Sequence, residues 1–210
     1  MSSQTPVVNE VFGRMLSGSQ IEDQVNIALR KWFPTYLHEV ERQMGLPVDT
    51  FDIPENYTDR NRFDMEAPEQ LPKIVVIAPG TVGPPLKKGT GVYDATWRIG
   101  IGVAVGAETE QESNTLCKGF GAAVRGIMLQ NSGLNVIGCI DIIWTDESHD
   151  DVPVPNRVQL VKAASLYFNA TFAAVVRRGG GPRVPDQPTY EILDFETADI
   201  EIDLEAKPIG

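Results

Sequence analysis

The sequence predicts an α+β fold, with elements in the order α-β-β-α-β-β, a mainly antiparallel sheet covered by two helices, and an extended C-terminal arm. Three observations carry this. Apolar residues recur at three- and four-residue steps between Ser19 and Met44, the period of a helix. Tyr93 to Val105 alternates strictly between apolar and other residues, the period of a half-buried strand. A second long alternating run, Arg157 to Val176, follows another stretch of helical spacing. The 210 residues are 42% hydrophobic and 22% charged, which is enough for one core and excludes wholesale disorder.

Residues 1–18 show no period and are expected to form a loose arm. Ser19 with Glu22 reads as a capping box that starts the first helix. Ile21, Val25, Leu29, Phe33, Leu37 and their neighbours make one broad apolar face, and Gly45 and Pro47 end the helix. Pro34 lies inside, where it removes one hydrogen bond and is expected to kink the helix at a cost of roughly 3 kcal/mol; burying large apolar side chains at roughly 1.5–3 kcal/mol each offsets it, so a kinked helix from Ser19 to Met44 is expected. Residues 46–72 are acidic, proline-punctuated and without a period, so they read as a long loop. The apolar run from Lys73 to Ala78 reads as a strand buried on both faces, and Pro79–Gly91 as a loop or hairpin tip.

In the strand Tyr93–Val105, seven apolar residues face one way, so a one-residue slip of register would expose them all. Thr109 with Glu112 predicts the start of a helix that runs to about Gln130. Gly119, Gly121 and Gly126 lie inside it, each costing about 1 kcal/mol relative to alanine, which implies close approach to a sheet or a neighbouring chain. Val136–Trp144 reads as a third strand with Ile140, Ile142 and Trp144 on one face, and Asp146–Asn156 as an acidic loop. The strand Arg157–Val176 exceeds a typical strand of ~5–6 residues, so a bend or bulge is expected around Ala163-Ala164. Arg177 to Pro182 reads as a hinge. Beyond it, Ile200, Ile202 and Leu204 alternate with acids, a pattern that can either add to a sheet edge of another chain or fold back on its own sheet. The organisation is therefore an N-terminal arm (1–18), one domain (19–178, with the loop 46–72) and a hinge with an acidic arm (179–210).

Charge and motifs narrow the function mainly by exclusion. Lys and Arg number 18 against 29 Asp and Glu, a net charge of −11, the opposite of what gripping a phosphate backbone requires. The N-terminus has no basic start with an apolar stretch behind it, and no run approaches the ~18 residues of a membrane helix, so a soluble, cytoplasmically made protein is expected. Cys117 and Cys139 make no disulfide framework and read as buried small residues. His38 reads as a surface residue and His149-Asp150-Asp151 as a solvated loop. Gly100-x-Gly102-x-x-x-Gly106 has the wrong spacing and position for a dinucleotide turn. No catalytic, cofactor or metal residues are expected. Lys87-Lys88, Arg157 and Arg177-Arg178-Arg183 are small basic islands, suited either to plain solvation or to the acidic arms of a neighbouring subunit.

Several phrases are familiar together: Gln43-Met44-Gly45-Leu46-Pro47 at a helix end, Ile99–Val105 running into Glu108-Thr109-Glu110-Gln111-Glu112, and the helix body Gly121–Gln130. A strand with Trp144 and a last strand Tyr167–Val176 complete the set. In these the chain resembles, over residues 19–178, the tail terminator proteins of long-tailed bacteriophages with actinobacterial hosts. The resemblance implies a virion protein, assembled in the host cytoplasm, that forms a homo-hexameric ring at the head-proximal end of the tail tube. Its partners would be the major tail tube protein and a head–tail connector or stopper protein. Genomic DNA would pass through the lumen without specific binding, and no membrane, enzyme activity or cofactor is implied. Expected assembly contacts are Gly119, Gly126, Arg177, Arg178, Ile200, Ile202 and Leu204. The loop 48–72 and the arm 182–210 exceed the family's core, leaving another neck or tail-completion protein open. A small carboxylate-using enzyme and a peptide-binding module are the rivals from other classes.

Overall fold

The computed structural model describes residues 15–58, 71–89, 91–131, 134, 138–152 and 160–177. They form an α+β fold: helix α1 (Gly18–Met44), strands β1 (Asn56–Thr58), β2 (Lys73–Thr81), β3 (Leu86–Lys87) and β4 (Val92–Ala107), helix α2 (Glu110–Gln130), and strands β5 (Cys139–Asp151) and β6 (Leu160–Arg177). The sheet runs β1-β2-β4-β6-β5, with β3 beside β4. Every pairing is antiparallel except β1 with β2. The expected element order thus gains two short strands, one inside 46–72 and one inside Pro79–Gly91.

Helix α1 starts two residues before the expected position. Ser17, not Ser19, is the cap: its side chain accepts from the Gln20 N–H, and the Gln20 side chain accepts from the Ser17 N–H. Glu22 is thereby released for another task. Its carboxylate accepts the Ala78 N–H of β2 at 2.6 Å, while Gly18 lies so close to the Ala78 carbonyl that a β-carbon there would meet its oxygen at 2.5 Å. The start of α1 therefore seals the outer edge of β2, which would otherwise present unpaired backbone groups. The helix is unbroken across Pro34 and ends at Gly45, whose φ of 67° is the left-handed conformation that glycine adopts freely.

The core lies between one face of the sheet and both helices. Ile21, Val25, Leu29 and Phe33 of α1 are fully buried with Ile74, Ile99, Val103, Phe120, Ile127, Leu166, Phe168 and Phe172. Lys73–Ala78 is nearly all buried, as its continuous apolar run predicts.

Glu41 is buried one turn after Leu37, on the apolar line of α1. Its carboxylate accepts the backbone N–H of Phe51 at 3.0 Å, bonds His38 Nδ1 at 3.1 Å, and accepts the N–H groups of Asp49 and Thr50. Burial pushes its pKa up, but these bonds outweigh it and hold the carboxyl below its ordinary value. The chain after α1 is thus turned inward, with Asp49 at φ 62°, and Phe51 packs edge-on against Phe120.

Phe51 also explains one helical glycine. A β-carbon at Gly119 would meet Phe51 Cζ at 2.2 Å. Gly119→Ala is expected to destabilise the fold by about 1–2 kcal/mol, because overpacking costs typically 1–3 kcal/mol and outweighs the ~1 kcal/mol gain in helix propensity. Urea unfolding checks this, and Phe51→Leu in the same chain should recover part of the loss; a more stable Gly119→Ala would overturn the packing argument.

The irregularity in β6 lies at its end, not at Ala163-Ala164. Register is continuous through that pair and breaks between Tyr93 and Ala95, opposite residues 173–175. Ala174 has φ 54° and donates its N–H to Asp94 Oδ1 at 2.9 Å, so the buried Asp94 holds a β-bulge. The bulge swaps faces. Val175 is buried and Val176 exposed, where simple alternation puts Ala174 and Val176 with the core. Asp94 Oδ2 also pairs with Lys88 Nζ at 2.5 Å across the turn between β3 and β4.

Candidate assembly surface

Among the described residues, strand β5 is the long edge of the sheet, paired only with β6. It runs on through Asp151, replacing most of the acidic loop expected over Asp146–Asn156; residues 153–156 of that stretch lie outside the described residues. Register breaks between Cys139 and Asp141 and again between Trp144 and Asp146. The first break removes Ile140 from the face shared by Ile142 and Trp144, correcting the expected trio. Ile140 is 60% exposed and Ile143 55%, large values for side chains of this type on an edge strand.

Two chemical characters divide β5. On the helix side, Trp144 lies under the Arg125 guanidinium of α2, 4.7 Å from its ring, and Glu147 bonds both Arg125 and, at 3.2 Å, His149 Nε2. A β-carbon at Gly121 would come within 2.9 Å of Glu147 Oε1, so this helical glycine makes room for the clamp between α2 and the edge strand. On the other side, Asp141, Ile143 and Asp146 stand opposite Thr171, Asn169 and Tyr167 of β6. Across the strand there are five acids (Asp141, Asp146, Glu147, Asp150, Asp151) and no lysine or arginine. A hollow lined by Leu129, Leu134, Ile140 and Ile142 continues this surface onto the end of α2.

The residues expected to meet other subunits are placed as follows. Gly119 is buried beneath Phe51, and a β-carbon at Gly126 would meet Tyr36 Cε1 at 2.8 Å, so packing inside the chain accounts for both close approaches and a neighbouring chain is not needed for either. The Arg177 backbone pairs with Val92 at the end of β6. Arg178, Ile200, Ile202 and Leu204 lie outside the described residues. Sequence reasoning missed Ile143, Arg125, Glu147 and His149. The Arg125–Glu147 contact spans 22 residues, so no local pattern announces it.

Cys117 and Cys139 are buried, and burial pushes each thiol up to about 11, far from a reactive thiolate. Among the described residues no group of three His, Cys, Asp or Glu is arranged to hold a metal ion, and no helix is long and apolar enough to cross a membrane. No protein-family model and no curated protein matches the sequence.

Proposed function

We propose that this protein is a structural assembly protein whose subunits join side by side into a ring, serving as the tail terminator of a long-tailed bacteriophage. The observation that carries the self-association is the β5 edge: 13 residues of strand whose outer side pairs with no strand among the described residues, bearing exposed Ile140, Ile143 and Trp144. An edge of this length and apolarity is a template for another chain unless it is covered. The phage role rests on the resemblance in element order and phrases over residues 19–178. In that role the ring sits on the head-proximal end of the tail tube, stops its growth and meets the head connector. Six copies, each at −11, would carry about −66, so the lumen repels DNA and lets it slide. The Glu147 carboxylate, engaged by both Arg125 and His149, serves as a clamp between helix and edge strand.

Deleting residues 182–210 is expected to weaken ring formation or docking on tube or connector while the 19–178 core stays folded. Light scattering and electron microscopy of particles report assembly, and circular dichroism reports the fold. Unchanged assembly and docking would remove the arm from the account. Particles carrying the subunit elsewhere than an annulus at the neck would overturn the phage role itself.

A further inference from the structure

Resting on the self-association reading above, we infer that the contact between neighbouring copies joins the β5 edge of one subunit to the β2–β3 tip of the next, extending one sheet into the other. The two borders lie on opposite sides of the sheet, since β3 flanks β4 on the side away from β6 and β5. A contact between unlike borders is heterologous, and repeated by rotation it closes a ring.

Charge, apolarity and direction all match. Residues 81–89 are exposed throughout, with Val82 at 43% and Leu86 at 67%, and they carry no acid; Lys88 is paired with Asp94 of its own chain, which leaves Lys87 as the charge for a neighbour. The β5 border carries five acids and no lysine or arginine beside exposed Ile140 and Ile143; Glu147 and Asp151 are paired within the chain, with Arg125 and Lys162. Because β3–β4, β4–β6 and β6–β5 are each antiparallel, β3 runs opposite to β5. A neighbour in the same orientation therefore presents β3 antiparallel to β5, with no reversal. The start of the tip is level with β5: the Val82 N–H bonds Thr96 O, Thr96 pairs with Thr171, and Thr171 pairs with Asp141, whereas β3, paired with Asp94 and Tyr93 opposite residues 173–176, lies beyond the Cys139 end of β5. The rest of the β2 border is occupied, by β1 at Lys73–Val75 and by the start of α1 at Ala78. This leaves the tip as the place for strand addition, in which backbone bonds supply affinity and side chains fix the partner.

The test is cross-linking of the full-length chain with a short bis-maleimide at neutral pH, where the two buried native thiols stay protonated. A chain with both Val82→Cys and Asp141→Cys should give a ladder of dimers, trimers and larger species. An equimolar mixture of the two single variants should stop at the dimer. Adding Ile143→Asp to the double variant should lower the yield several-fold while its circular dichroism stays unchanged. A dimer from Asp141→Cys alone would overturn the inference in favour of two-fold pairing between β5 strands. Rings visible in micrographs without a ladder would overturn this interface and leave the ring reading standing. No cross-link and no assembly at any concentration, or in the presence of tail tubes, would end both.

Discussion

Glu41→Ala is expected to lower the unfolding free energy by about 3 kcal/mol. The substitution strips the acceptor from the buried Phe51 N–H and from the N–H groups of Asp49 and Thr50, which lie nearer solvent, and a buried donor left unpaired costs about 1–3 kcal/mol. Relaxation of the turn lets water reach some of them, so the full sum of three is not reached. Phe51 should then leave its place against Phe120 and Gly119, and the mobility of residues 46–51 should rise. Urea titration at neutral pH measures the first effect and amide exchange the second. A loss under 1 kcal/mol would show that the turn holds itself without the carboxylate. The pH dependence has a definite sign. Glu41 and Asp94 both have folded pKa values below their ordinary ones, so each contributes stability that is complete above the unfolded carboxylate pKa of roughly 4. That contribution is lost as pH falls through the lowered folded values. Glu41→Gln should flatten part of this acid loss.

Asp94→Ala should cost about 2–3 kcal/mol, by a different route. For Asp94 the bond from Lys88 is the largest influence, the Ala174 N–H follows, and together they outweigh burial to hold the carboxyl below its ordinary value. Removing the side chain takes the acceptor from the Ala174 N–H while the residue keeps its left-handed φ of 54°. The bulge is what turns Val175 inward, so its loss should disturb the end of β6 and its pairing with Tyr93. Asp94→Asn retains an acceptor for Ala174 and loses the charge opposite Lys88; it should fall between wild type and Asp94→Ala in urea unfolding. Equal losses from both substitutions would assign the whole effect to the ion pair.

Much of the architecture could be read from the chain because periodicity reports burial. The α1 face from Ile21 to Leu37, the buried run at Lys73–Ala78 and the alternation of β4 all point where the side chains point. The errors occur where burial does not govern. Strand β5 beyond Trp144 has few apolar residues, because an edge strand held on one side needs backbone partners more than a buried face. Glu41 carried a usable signal: it continues the Phe33–Leu37 line at four-residue spacing, and an acid on such a line demands a polar partner. The bulge at Ala174 has no equivalent, since its cause, Asp94, lies 80 residues earlier. The candidate assembly surface was only partly legible. The sequence placed Ile140 and Trp144 on a strand, but nothing local told which strand would lie outermost.

The seal that Gly18 and Glu22 place over Ala78 has a mechanical consequence. With the middle of that border occupied, any neighbour can grip only a narrow belt near one pole of the strands. Units fastened at a single height behave like barrel staves tied by one hoop: they can splay or lean without tearing the fastening. In the ring proposed above, the aperture would therefore adapt to the cylinder it caps, while each stave keeps its own shape.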